Sequence, residues 1–145
     1  MKSFYTHELS KVPILCDNIQ VLSIEETRYH FQWLEMNFDI FWGKINWSKV
    51  SKSVSVNIKK WTYSDLSQYL YSLDLQGENS EFCIVWSDSD VGVKVRFTLI
   101  CQFIEELVYP GKSDIWIVNK SKSFCLEITH DEIISYAFLQ SVNNV

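Results

Sequence analysis

Glycine and proline are scarce: four Gly and two Pro in 145 residues. So few leave little room for flexible linkers or low-complexity segments. Four glycines do not furnish a phosphate-cradling loop, and neither G-x-x-x-x-G-K-S/T nor G-x-G-x-x-G occurs. Cysteines stand at 16, 83, 101 and 125 with no C-x-x-C pair, so no thiolate metal site is written into the spacing. The histidines, His7, His30 and His130, form no H-x-x-x-H pair. A G-x-S-x-G elbow is absent, and Cys125 and His130 lie five apart on one predicted strand, facing opposite ways. No run approaches the ~18 apolar residues of a membrane span, and the N-terminal stretch lacks the apolar core of a signal peptide. These absences predict a cytoplasmic protein with free thiols, no metal, no cofactor and no small-molecule substrate.

What is present fits one domain, residues 1–145. The composition is 47% hydrophobic and 21% charged, ordinary for a globular chain. A net charge of −5 argues against nucleic acid and favours a basic partner. The charge is split in sequence. Residues 44–60 carry Lys44, Lys49, Lys52, Lys59 and Lys60 and no acid; residues 61–93 carry Asp65, Asp74, Glu78, Glu81, Asp88 and Asp90 and no Lys or Arg. Like charges gathered in sequence often gather in space. Tyr63, Tyr69 and Tyr71 lie among the acids, and aromatic anchors among steering charges suit a protein interface. The candidate partner-binding residues are therefore Tyr63, Asp65, Tyr69, Glu78, Glu81, Asp88 and Asp90.

Periodicity gives the elements. Residues 19–24 read as a strand. Residues 28–42 alternate apolar and polar, with a slip at Trp33–Leu34, and predict a bulged strand or two strands. Residues 53–58 alternate again. Thr62 or Ser64 caps a predicted helix in which Leu66, Tyr69, Leu70 and Leu73 recur at helical spacing. FCIVW (82–86) predicts an interior strand, and 95–108 fits a helix. DIWIVN and FCLEITH predict a β-hairpin, and Asp131 caps a predicted last helix over 132–140. The order predicts an α+β domain, a mostly antiparallel sheet with about three helices packed on one face. Trp86, Trp116, Cys83 and Cys125 read as core.

Two acids on the predicted hairpin, Asp114 and Glu127, raise a metal-dependent nuclease, in which paired carboxylates hold Mg²⁺. That pattern wants Lys two residues after the Glu, and Thr129 stands there. Asp88 and Asp90 in WSDSDVG fall short of a calcium loop and read as a turn.

FCIVWSDSDVGVKV, YPGKSDIWIVNKSKSFCLEITHDE and the acidic, aromatic stretch 63–90 resemble the small immunity proteins of bacterial contact-dependent inhibition systems. The resemblance carries over no binding residue. It implies a non-enzymatic, single-domain, cytoplasmic protein that binds one toxin domain, of which many are basic nucleases, and covers its active site. Three readings stay open: such an inhibitor, a nuclease using Asp114 and Glu127, and a structural or adaptor subunit.

Overall fold

The structure, a computed structural model, describes residues 4–75, 81–87, 89, 91–108 and 114–139. In chain order the elements are α1 (Phe4–Leu9), α2 (Pro13–Asn18), β1 (Gln20–Val21), α3 (Ile24–Asn37), β2 (Ile40–Phe41) and β3 (Lys44–Ile45). A 3₁₀ turn (Trp47–Lys49), β4 (Val54–Asn57), α4 (Tyr63–Ser72), β5 (Glu81–Trp86) and β6 (Val93–Arg96) follow. The chain continues through α5 (Phe97–Gln102), α6 (Ile104–Val108), β7 (Ile115–Asn119), β8 (Phe124–Ile128) and β9 (Ile133–Phe138).

Seven strands form one sheet in the order β1-β6-β5-β7-β8-β9-β4. Every neighbouring pair in it is antiparallel. Strands β2 and β3 make a separate hairpin. The expected α+β class and antiparallel sheet stand, while α-helices number six among the described residues rather than about three.

Strand alternation sorts the core into two layers. Phe82, Ile84, Trp86, Ile117, Phe124, Leu126 and Ile134 point to one face and pack with Leu66, Leu70, Ile100 and Leu107 of α4, α5 and α6. Val85, Trp116, Val118, Cys125 and Ala137 point to the other and meet Leu34 of α3, Phe38 at its end, and Trp47. The helices thus cover both faces, not one. Strands buried on both sides read as apolar runs, as FCIVW does.

Two predicted elements are corrected. Residues 28–37 are helix, not strand. Ser23 caps α3: its Oγ accepts from Glu26 N at 3.0 Å, and Ser23 N donates to Glu26 Oε1 at 3.2 Å. Thr27 and Leu34 turn inward at helical spacing, while Tyr29 and Met36 face outward. Only Ile40–Phe41 of the 28–42 stretch is strand.

Residues 133–138 are strand, not helix. Asp131 caps nothing; it lies in the three-residue loop 130–132 that joins β8 to β9. There Thr129 N donates to Ile133 O at 3.0 Å, and Glu132 takes φ 62°, the left-handed position of a G1-type hairpin loop. The predicted helix over 95–108 begins at Phe97, because Val95 belongs to β6, and it breaks at Phe103.

Of the strand expected over 19–24 only Gln20–Val21 forms, because Ser23 already caps α3. Strand β4, the helix capped by Thr62, the interior strand β5 and the β7–β8 hairpin lie where expected. The cysteines are free thiols, with Cys83 and Cys125 buried, and Trp86 and Trp116 are core.

Candidate binding surface

The β2–β3 hairpin turns on two residues, Trp42 and Gly43, with φ of 56° and 75°. Positive φ at both central positions is the type I′ geometry that matches strand twist. The register pairs Ile40 with Ile45 and Phe41 with Lys44. Two-residue periodicity then puts Ile40 and Ile45 towards the protein and Phe41 away from it. Phe41 is 65% exposed and Trp42 84%. Their rings meet edge to face at 5.8 Å. Two large aromatics side by side in water are an uncompensated hydrophobic cost, and such patches mark interaction sites.

The hairpin is held from beneath by one carboxylate. Glu127, on β8, is 2% exposed. Its Oε2 accepts from Ile45 N at 2.9 Å and from Trp116 Nε1 at 2.8 Å, and its Oε1 accepts from Trp47 Nε1 at 3.0 Å. Burial pushes this carboxyl above its usual range; the three N–H groups, which only donate, pull it back. Trp47 follows the hairpin directly, so Glu127 bonds to the hairpin backbone and to the segment leaving it.

Charges fasten the flanks. Lys44 pairs with Asp131, and this partner holds the ammonium above its ordinary range. Lys49 lies 3.1 Å from Asp39, whose Oδ2 also accepts from Asn46 Nδ2. Asp114 sits at the same end of the sheet, where its Oδ1 accepts from His130 N at 2.9 Å and lies 3.0 Å from His130 Nδ1. The lysine block is therefore partly neutralised within the fold.

Asp114 and Glu127 do project from one face of adjacent strands, as the two-carboxylate pattern requires. Both Glu127 oxygens are spent on N–H donors, however, and among the described residues no group of three or more His, Cys, Asp and Glu is placed to hold a metal ion. Thr129, where a lysine was wanted, is buried. Glu127 acts as an anchor of the hairpin.

The acidic set does not gather on one face among its described members. Tyr63, Asp65 and Tyr69 lie on α4. Asp65 is the return arm of the Thr62 cap, its Oδ2 accepting from Thr62 N at 3.0 Å. Tyr69 is half-buried, 5.1 Å from the Trp61 ring, with its hydroxyl 3.2 Å from that of Tyr136. Burial pushes its phenol up to about 12. Glu81 starts β5 on the opposite sheet face, 4.0 Å from Lys94. Glu78, Asp88 and Asp90 lie outside the described residues.

In the sequence, Phe41 and Trp42 close the alternating 28–42 stretch and merge into a longer predicted strand. Their signal was Gly43, a residue that takes the positive φ of a two-residue hairpin turn.

No helix among the described residues is long and apolar enough to cross a membrane. No curated protein matches the chain. A family profile, that of the CdiI immunity proteins described as EcoliA0-like, matches residues 12–137, which take in α2 through most of β9 and the whole hairpin with its Glu127 anchor. The chain belongs to the CdiI immunity protein family.

Proposed function

We propose that the protein neutralises one cognate toxin domain by seating on it and covering its active site, with Phe41 and Trp42 as the central anchors. The carrying observation is the exposed aromatic tip, held rigidly on a buried carboxylate. Aromatic residues dominate binding energy where they enter a partner's pocket. The net charge of −5 favours a basic toxin, such as a nuclease, and speeds encounter with it. The protein acts in the cytoplasm by occupancy, without turnover.

The test is titration of the purified toxin domain with the parent protein and with Trp42→Ala. The parent abolishes toxin activity at one-to-one stoichiometry. The variant, folded by circular dichroism, binds at least about 30-fold more weakly, the scale of a hot-spot residue of about 2 kcal/mol. Undiminished binding by Trp42→Ala together with loss in Asp65→Lys, Glu81→Lys or Asp88→Lys moves the interface to the acidic stretch.

A further inference from the structure

A groove of about 500 Å³ runs between α3 and the sheet, away from the aromatic tip. Its floor includes the buried Cys83 of β5. Lys94 enters from β6, and Lys120 and Lys122 enter from the β7–β8 turn, against Glu25 and Glu26 on α3. Glu26 is turned to its own helix start by its bonds with Ser23. Lys94 lies 4.0 Å from Glu81, so acids and lysines around the groove balance in number, and Lys120 and Lys122 are its two ammonium groups with no ion pair among the described residues.

Two features make this more than a solvated charge cluster. Lys122 is half-buried, its Nζ 2.7 Å from His30 Nδ1 and 5.3 and 5.8 Å from the ring centres of Trp33 and Tyr29. Burial and then Lys122 hold the His30 imidazole down to about 4, so the ring is neutral at pH 7. With Nδ1 accepting from the ammonium, the ring proton lies on Nε2, a further donor on the groove wall. Tyr29, 60% exposed, stands at the mouth.

We propose that this groove binds a small phosphate monoester carrying an aromatic ring, of the mononucleotide class. The phosphate sits among Lys94, Lys120 and Lys122, and the ring lies on Tyr29. A half-buried ammonium such as Lys122 interacts more strongly with an anion than one in open water, and the volume falls within the ordinary range of ligand pockets, roughly 300–1,000 Å³. The site is independent of the toxin-binding reading, because it needs the isolated chain alone.

The test is calorimetric titration of the full chain at low salt with AMP, inorganic phosphate and adenosine. AMP gives saturable one-to-one binding, about tenfold tighter than phosphate, a difference of about 1.4 kcal/mol that lies within the range for stacking one base. Lys94→Gln, Lys120→Gln and Lys122→Gln each weaken AMP binding; if the variant at the half-buried Lys122 fails to fold, the other two decide. No saturable heat with AMP, binding that survives the lysine substitutions, or equal binding of adenosine and AMP would each overturn the proposal. The first of these outcomes leaves the lysines as a charged rim for contacts with protein.

Discussion

At the scale of single residues, Glu127 shows how a buried charge can serve presentation rather than chemistry. Three N–H groups converge on it, from Ile45, Trp47 and Trp116. Glutamine has the same shape but replaces one acceptor oxygen with a donor that must face another N–H. Glu127→Gln therefore destabilises the protein by about 2–3 kcal/mol, the cost of unsatisfied buried polar groups. Urea denaturation checks it, and an unchanged midpoint would remove Glu127 as the anchor. The sequence showed Glu127 as a strand acid that could join Asp114 in a metal site, one alternative among the three readings. Nothing local announces that Trp47, 80 positions away, supplies a donor. Trp86 and Trp116, inside apolar runs, were legible as core; Trp42 differs from them only by the glycine that follows.

At the scale of elements, the two errors have one physical origin. Aromatic and β-branched residues fit strands by propensity, yet tertiary packing decides. In residues 28–37 the alternation of Tyr29, Phe31 and Trp33 imitates period two, while Thr27 and Leu34 keep the helical stripe. The capping box Ser23-x-x-Glu26 was present in the sequence and marks the start of α3. Ser23→Ala removes the acceptor for Glu26 N and costs about 1 kcal/mol, read as a lower thermal midpoint. No change would mean that packing against Trp116 alone sets the helix start. In residues 132–138 a helix reading placed Ile133, Ile134, Ala137 and Phe138 on one face. The structure pairs this segment with β8, the strand just before it, and with β4, 80 positions away at Ser55–Ser135.

At the scale of the whole molecule, the described acids of the 61–93 run do not share one face. The chain passes from α4 on one side of the sheet to Glu81, whose side chain is on the other, so the acidic block is divided. Of the lysine block, Lys44 and Lys49 are drawn into pairs with Asp131 and Asp39. Fold class was legible because alternation and apolar runs are local. The surface was not, because it depends on which faces the topology brings together. One long-range charge group sets a pH response. His30 faces Lys122, Glu26, Lys94 and Cys83. Its folded value, about 4, lies below the ordinary 6.5, so the unfolded chain takes up the proton first as pH falls. Stability present above pH 6.5 is lost between about 6.5 and 4. Thermal midpoints measured across that window should fall in the parent and fall less in His30→Gln; parallel slopes would show that His30 contributes nothing there.

The type I′ turn at Trp42 and Gly43 has one more consequence. A tryptophan in the left-handed region is disfavoured by about 1 kcal/mol or more, and the fold meets that cost before any partner arrives. The two rings stand edge to face on a hairpin already clamped at both flanks. A partner that seats on them loses little loop entropy in doing so, because the ordering was completed when the chain folded. Capture at such a tip is limited by diffusion and orientation rather than by a search through loop conformations.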